Sequence, residues 1–288
     1  MIKIGDYNKL EVVRQSAFGM FLGAKTSSTD DDILIPNNNI LTNDVKIGDE
    51  IEAFIYRDSA DRLIATEKKP LAVVGDLAVL TIKELNEKIG AFADLGLERD
   101  ILIPFKEQKY TLEVGKSYLL YIYVDKTGRL AATTDVDRDL DYMEDAELNA
   151  EATGIIYGFQ TNGSLSIAID NKYKGAVLTK EFYENFKIGD TVTGTISRIY
   201  EDGIVTLRLR AKKLEEKGKL ETEILEYLKN NGGQMKLYDK SSPEAIKDVF
   251  KCSKKYFKMS LGGLMRAKLI TQDETGTKLI VQGETELV

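Results

Sequence analysis

Two aspartate–arginine pairs recur at the same place in two similar stretches of the chain. Asp58 and Arg62 follow Gly48 by 10 and 14 residues, and Asp125 and Arg129 follow Gly115 by the same distances. An arginine can donate two hydrogen bonds to a phosphate, and a nearby aspartate can orient that arginine or accept a hydrogen bond from a base or a 2′-hydroxyl. The alternative is a plain ion pair across a turn, worth less than about 1 kcal/mol at a surface.

The residue types that most often carry catalysis are scarce. The chain has no His and a single Cys252, which removes the commonest general base and excludes a His/Cys metal site and an internal disulfide. No P-loop, serine-hydrolase or zinc-protease motif is present. A carboxylate site for magnesium is conceivable, but Asp30–Asp32 follow a polar run typical of a mobile loop. We therefore expect a protein that is not an enzyme and that has no cofactor and no metal.

Composition and charge narrow the class further. With 43% hydrophobic and 30% charged residues, the 288-residue chain is typical of a folded protein. The net charge of −7 is unfavourable for indiscriminate binding of polyanions. Residues 1–210 carry 25 basic and 35 acidic side chains, net −10, whereas residues 211–288 carry 15 and 12, net +3. The last quarter is therefore a separate unit.

The first residues lack the apolar core of a signal peptide, and the longest apolar stretch, residues 71–80, is half a membrane span. Together with the single cysteine, this predicts a cytoplasmic protein.

The elements that must position the two pairs come from an internal repeat. Three stretches, residues 46–63, 113–130 and 187–204, open on an apolar–Gly pair, and their glycines are 67 and 74 residues apart. Each unit contains about five short strands, which in the first cover roughly 8–14, 18–25, 32–36, 50–57 and 62–67. This pattern predicts small barrels or sandwiches. A unit of about 65 residues buries only about 60% of its unfolded surface, so neighbouring units are expected to pack together.

The repeat predicts the following domains: residues 1–69, 70–137 and a degenerate third unit at 152–211, then a C-terminal domain at 212–288. Between the second and third units, residues 138–151 are rich in Asp and Glu. We expect an acidic linker or short helix there, solvated and without a function.

The C-terminal domain has the period of helices. A helix over 214–231 stops at Gly232-Gly233, and a short strand, two more helices and two strands around Gly276 follow, which is the order of a winged helix. Helical spacing assigns Phe257, Leu261, Leu264 and Met265 of the third helix to the core. Lys255, Lys258 and Arg266 point away as candidate nucleic-acid contacts or as a solvated basic face. The wing, residues 272–276, is acidic, which argues against reading of a DNA groove.

Strand parity places several aromatic side chains outside the barrels. Ile51 and Ile55 lie on one face of the fourth strand, and Phe54 and Tyr56 lie on the other together with charged residues. Tyr121 and Tyr123 of the second unit follow the same rule. Exposed aromatic residues need a partner. We expect a neighbouring domain, with a protein or a base as alternatives.

The second unit resembles the RNA-binding domain of ribosomal protein S-one, a five-stranded OB barrel. Residues 89–96, IGAFADLG, fit its aromatic-Gly-Ala-Phe-Val strand with Ile89 at the aromatic position, and Pro104 stands where His is common. The resemblance implies that Phe92, Asp125 and Arg129 contact RNA. A base stacked on an aromatic ring contributes roughly 1–3 kcal/mol, although such a Phe can instead belong to the core.

The other two units fit the same pattern unequally. In the first, Phe18 and Phe21 supply both aromatic positions, and Asp58 and Arg62 are present, so the resemblance implies an RNA contact there too. In the third, residues 163–165 and 175–177 keep the framework, but Ile199 and Gly203 are expected at the Asp and Arg positions. The ligand signature is lost there.

Three such barrels followed by a winged helix resemble, over nearly the whole chain, the conserved virulence factor B family of Gram-positive bacteria. The expected fold is mainly β, with three tandem five-stranded OB-fold barrels of the S-one type and an α+β C-terminal domain. The resemblance implies binding of single-stranded RNA, post-transcriptional regulation and a link to virulence. A protein-interaction scaffold built on the acidic barrels, and a regulator that binds duplex DNA through the winged helix, remain alternatives.

Overall fold

The computed structural model describes residues 2–24, 26, 28–182 and 185–280, with the backbone alone for 210–219. Three closed five-stranded barrels precede a winged helix, which confirms the mainly β fold expected from the sequence. Barrel 1 consists of β1 (Tyr7–Ser16), β2 (Gly19–Leu22), β3 (Ile33–Pro36), β4 (Glu50–Arg57) and β5 (Leu63–Thr66). These strands lie within a few residues of the predicted ones.

Barrels 2 and 3 repeat this arrangement. Barrel 2 consists of β6 (Leu77–Asn86), β7 (Gly90–Ala93), β8 (Ile101–Pro104), β9 (Ser117–Val124) and β10 (Leu130–Thr133). Barrel 3 consists of β11 (Glu151–Phe159), β12 (Leu165–Ile169), β13 (Tyr173–Val177), β14 (Thr191–Ile199) and β15 (Val205–Arg208). In each barrel the third and fifth strands pair in parallel, and the other neighbours are antiparallel.

The second strand of barrels 1 and 2 begins at a glycine for a steric reason. Gly19 and Gly90 have φ of +156° and +139°, and a Cβ at either position would lie 2.1 Å from the carbonyl oxygen of Ile35 or Ile103. No L-residue with a side chain fits so close to the third strand. The glycine therefore fixes where the aromatic residues beside it emerge.

One of the outward aromatic residues of barrel 1 packs against barrel 2. Phe54 and Tyr56 are buried although they lie outside the core of barrel 1, and their rings are 6.0 Å apart. Tyr56 lines a cleft together with side chains of barrel 2, and Arg57 Nε donates to the carbonyl oxygen of Gly128 at 2.9 Å. The expectation of interdomain packing is confirmed for Tyr56, whereas the ring neighbours of Phe54 are Tyr7 and Tyr56 of the same barrel. Tyr121 likewise packs in a cluster shared with barrel 3, whereas Tyr123 is half-buried.

The acidic segment between barrels 2 and 3 is neither a helix nor fully solvated, contrary to the expectation. Val136 and Leu140 are buried in a cluster that joins Leu119 of barrel 2 to Ile155 and Ala168 of barrel 3. The main chain of Asp141 pairs in parallel with β13. Its N–H donates to the carbonyl of Lys172, and its carbonyl accepts from the N–H of Lys174, both at 2.8 Å. We call residues 135–143 the strap. The two buried apolar side chains, Val136 and Leu140, anchor the strap.

The winged helix comprises α1 (Arg210–Asn230), β16 (Gln234–Met235), α2 (Pro243–Phe250), α3 (Lys254–Arg266), β17 (Ile270–Asp273) and β18 (Gly276–Leu279). Helix α1 begins before the predicted residue 214, and β16 is shorter than the predicted strand. Ser242 and Ser253 cap α2 and α3 by accepting from backbone N–H groups. None of the helices in the described residues is long and apolar enough to cross a membrane.

One core assignment in α3 is wrong. Met265 is exposed, whereas Tyr256 and Ser260 are buried beside Phe257, Leu261 and Leu264. The buried face is centred between positions 257 and 260, and this turns Met265 toward solvent.

Candidate nucleic-acid interface

Barrel 1 carries an open cleft of about 940 Å³ over β2, β3 and β5. Its lining includes Phe21 and Arg14 of the β1–β2 hairpin together with Asp58 and Arg62 of the β4–β5 turn. Phe18 projects from the β1–β2 turn with 78% of its surface exposed. The structure therefore brings Phe21 together with Asp58 and Arg62, as the repeat pattern predicts, and leaves the Phe18 ring free to stack.

Arg14 is part of this face, and sequence reasoning missed it. Its guanidinium lies 3.6 Å from the centre of the Phe21 ring, and its Nε lies 3.3 Å from Asp32 Oδ2. The hairpin register pairs Arg14 with Phe21, so the strand pattern held this signal. Asp30–Asp32, expected as a mobile loop, line the cleft, and Asp32 holds Arg14 over the ring. A guanidinium plane in this position can itself stack against a base.

Asp58 and Arg62 form the predicted pair. Arg62 donates from Nε and Nη2 to Asp58 Oδ2 at 2.9 and 2.7 Å, while Asp58 Oδ1 accepts from the N–H groups of Ala60 and Arg62. Burial alone would raise the pKa of Asp58, but the hydrogen bonds from Arg62 and Ala60 outweigh it and lower that pKa below its usual value. A permanently ionised Asp58 thus orients an Arg62 side chain that is mostly exposed.

Barrel 2 has a similar but weaker face. Phe92 is half-buried on β7, and Ile89 is exposed where barrel 1 has Phe18. Glu84 is paired with Phe92 in the register where barrel 1 pairs Arg14 with Phe21. A carboxylate in this position repels phosphate, so barrel 2 lacks one cation and one aromatic ring of barrel 1.

The second aspartate–arginine pair does not form. Asp125 Oδ1 accepts from Thr127 Oγ1 at 2.7 Å and from the N–H of Arg129, while Arg129 Nε donates to Asp61 Oδ1 of barrel 1 at 2.9 Å. The hydrogen bond from Arg129 lowers the pKa of Asp61. The repeat correctly placed both residues at the turn, but a contact with the neighbouring barrel redirects Arg129.

A second cleft, of about 290 Å³, lies between the two barrels. Its lining includes Tyr56 and Asp58 of barrel 1 together with Phe92, Arg99 and Arg129 of barrel 2. Sequence reasoning passed over Arg99, because nothing in its local pattern marks a residue that faces another barrel. Within the described residues, no group of His, Cys, Asp or Glu is arranged to hold a metal ion.

Barrel 3 has lost these side chains. A bulge in β14 shifts the turn by one residue: Tyr200 N–H donates to the Ile204 carbonyl, as Asp58 N–H donates to that of Arg62. The residues equivalent to the Asp–Arg pair are therefore Tyr200 and Ile204, not the predicted Ile199 and Gly203. Neither residue can form an Asp–Arg pair, so the predicted loss of that pair from barrel 3 is unchanged. Ser166 is paired with Ala176 as Phe21 is with Leu34, so it replaces the aromatic residue of β2.

The strap covers part of this third face. Tyr157 Oη donates to Asp137 Oδ1 at 2.8 Å, and Lys174 Nζ lies 3.3 Å from Asp137 Oδ2. Lys174 also lies 5.2 Å from the centre of the Tyr142 ring. Burial, followed by the hydrogen bond to Asp137, raises the pKa of Tyr157 far above its usual value. Tyr157 and Lys174 of barrel 3 thus have their polar partners in the strap.

The winged helix presents the three predicted basic side chains on the surface of α3. Lys255, Lys258 and Arg266 are all exposed, as predicted. Lys258 Nζ lies 3.3 Å from Asp239 Oδ2, and Arg266 Nε donates to the Gly262 carbonyl at 3.1 Å. In the wing, hydrogen bonds from Thr275 lower the pKa of Asp273 to about 2. Asp273 is therefore ionised, and Lys278 Nζ lies 3.1 Å from its Oδ2.

Comparisons with known proteins match this architecture. An S1 domain family matches residues 4–68 and 74–135, and a CvfB-like winged helix domain family matches residues 222–279. The uncharacterised protein YitL of Bacillus subtilis is 31% identical over 283 residues, which span 95% of this chain and 92% of that protein. The chain belongs to the conserved virulence factor B family.

Other members of the conserved virulence factor B family are similarly related. The conserved virulence factor B of Staphylococcus epidermidis is 29% identical over 245 residues, 81% of this chain and 80% of that protein. A crystal structure from Streptococcus pneumoniae, of a multidomain protein with nucleic acid binding domains, has the same fold with a TM-score of 0.52. It is 24% identical and covers 96% of this chain and 98% of its own.

The ranges that the S1 family model matches agree with the geometry of the three barrels. The two S1 ranges enclose barrels 1 and 2, which keep the aromatic residue of the second strand, whereas barrel 3 lies outside them. S1 and winged-helix domains are of nucleic-acid-binding types and are not enzymatic.

Proposed function

We propose that this protein binds single-stranded RNA and regulates gene expression after transcription. The observation that supports this most is barrel 1, which has an exposed Phe18 ring in the β1–β2 turn and an open cleft lined by Phe21 and Arg62. An exposed aromatic ring is a platform for a base, and an oriented guanidinium is a donor to phosphate. Barrel 2 supplies a second, weaker contact through Phe92.

Binding by several weak sites fits the charge of the chain. Since the net charge is −7, neutralisation of phosphates cannot by itself supply strong affinity. Each stacked base contributes roughly 1–3 kcal/mol, and linking two modules makes the second contact intramolecular. Affinity then depends on how many faces one strand reaches.

The charges on the winged helix favour RNA over duplex DNA as its ligand. On α3, Lys258 is paired with Asp239, and the wing carries an ionised Asp273 where a groove-reading wing would be basic. We propose that Lys255, Lys258 and Arg266 add contacts to RNA rather than read a groove. The aromatic pair Phe54 and Tyr56, which had favoured a protein scaffold, is already buried within this chain and is not available to a protein partner.

Filter binding with the full chain tests this proposal. We expect a labelled single-stranded RNA to bind with an affinity that falls as salt rises, and duplex DNA of equal charge to compete poorly. Equal or better competition by duplex DNA would reassign the function to DNA binding. A protein partner that is captured after nuclease treatment, with no retained RNA, would favour the scaffold.

The regulatory part needs a cellular measurement. Transcripts crosslinked to the protein should change in half-life or translation, but not in synthesis rate, when its gene is deleted. A change confined to the synthesis rate would contradict post-transcriptional regulation.

A further inference from the structure

The clefts of barrels 1 and 2 meet at a single residue. Asp58 lines the cleft of barrel 1 and also the cleft between the barrels, so the β4–β5 turn of barrel 1 borders both. From this turn, Arg62 lines the first cleft and Arg57 lines the second. Resting on the proposed RNA binding, we propose that the two faces form one continuous tract that holds a single RNA strand in one polarity, with Arg99 as a further phosphate-binding residue.

The two faces are fixed relative to each other. Arg57 Nε donates to the Gly128 carbonyl, and Arg129 Nε donates to Asp61 Oδ1, both at 2.9 Å, so each barrel's turn is tied to the other's. The N–H of Val74 also donates to the carbonyl of Gly5 at 2.9 Å. With Tyr56 buried at the same interface, a strand that reaches both faces does not have to order two loose domains.

Arg99 is the cation of the second cleft that remains available. Arg57 and Arg129 are committed to the interface, whereas Arg99 is exposed, and within the described residues no carboxylate lies at ion-pair distance from it. The adjacent Asp100 pairs with Lys83 instead, at 3.4 Å. An unpaired guanidinium beside a half-buried Phe92 repeats the phosphate-plus-base arrangement of Arg62 and Phe21.

The polarity of the bound strand provides the decisive test. The full chain is crosslinked to an oligouridylate of about 14 nucleotides, about seven for each of two OB folds that cover about 4–16 nucleotides apiece, with 4-thiouridine at either the 5′ or the 3′ end. A continuous tract predicts one strand per chain, with one end crosslinking to peptides of barrel 1 and the other end to peptides of barrel 2. Equal crosslinking of both ends to both barrels, or two strands per chain, would overturn it.

A charge variant tests Arg99 separately. We expect Arg99→Ala to weaken binding of the long strand by about three- to tenfold and to reduce the salt slope by about 0.7, the value for one phosphate of a single strand. Lys106→Ala removes an exposed charge from barrel 2 outside the clefts and should change neither. Equal effects of the two variants would refute the assignment.

The test also separates the two proposals. Absence of any RNA binding would refute the proposed function and the tract together. Normal binding that is weakened by Phe18→Ala, but has no end preference, would retain the function and refute the tract alone.

Discussion

Barrels 1 and 3 have the same strand order, but the equivalent faces of the two barrels differ in whether they are open. Barrel 1 leaves Phe18 and Arg62 exposed beside an open cleft. Barrel 3 has Ser166 and Ile204 at the positions of Phe21 and Arg62, and the strap binds its remaining polar groups. Five strands of the same order thus support one face open to a ligand and another closed by the protein's own chain.

The difference shows that the fold alone does not determine which face stays open to a ligand. We propose that a barrel of this chain binds nucleic acid where its second strand supplies an aromatic ring and its last turn supplies a guanidinium. Where those are lost, the same edge accepts a segment of chain, and Asp137 of the strap adds a negative charge that repels phosphate. Barrel 2 is intermediate, because it keeps Phe92 but its Arg129 is hydrogen-bonded to Asp61 of barrel 1.

The largest expected effect concerns the closed face. Leu140 is 3% exposed and joins barrel 3 to the strap, so Leu140→Ala should destabilise this region by about 2–5 kcal/mol. The measurement is hydrogen exchange of the β13 amides, including Lys174 N–H, during urea unfolding. Leu148→Ala, at a position 60% exposed in the same segment, should change stability by less than about 0.5 kcal/mol. Equal protection in the two variants would mean that the strap does not close barrel 3.

The next effect concerns the open face. Phe18→Ala removes the exposed ring and should weaken RNA binding by roughly 1–3 kcal/mol, measured by fluorescence anisotropy. The matched control is Phe159→Ala, because Phe159 is a 53% exposed ring on barrel 3. If the control weakens binding as much as Phe18→Ala, the functional distinction between the two barrels is lost.

The cation of barrel 1 should have a smaller effect. Arg62→Ala is expected to lower affinity by about 1 kcal/mol and to reduce the salt slope by about 0.7, because one phosphate contact disappears. Arg198 of barrel 3 is also exposed but lies 4.6 Å from the centre of the Tyr200 ring, so Arg198→Ala should leave both quantities unchanged. An unchanged salt slope in Arg62→Ala would remove Arg62 from the interface.

The strands and the order of the elements could be predicted from the sequence better than the side-chain contacts of the candidate binding faces. Glycines, alternating apolar residues and turn residues are local signals, so the strands of barrel 1 and the order of elements in the winged helix could be predicted. The redirection of Arg129 to Asp61 and the closure of barrel 3 by the strap depend on contacts between units, which no local pattern encodes. The bulge in β14 misplaced the Asp–Arg equivalents by one residue, because a fixed spacing cannot show an inserted residue.

The smallest effect is in the pH dependence of the two barrels. The folded pKa of Asp58 is lowered, so the stability from its pair with Arg62 is present above the unfolded value of about 3.9 and is lost as pH falls through the folded pKa. The folded pKa of Tyr157 is raised, so the stability from its bond to Asp137 is present below about 10 and is lost as pH rises through the folded pKa. Differences in Tm between the native chain and Asp58→Asn should therefore vanish in acid, and those with Tyr157→Phe should vanish in alkali. Each amounts to about 1 kcal/mol or less. Differences that vanish at the same end of the pH range would show that Asp58 and Tyr157 do not contribute through separate ionisations.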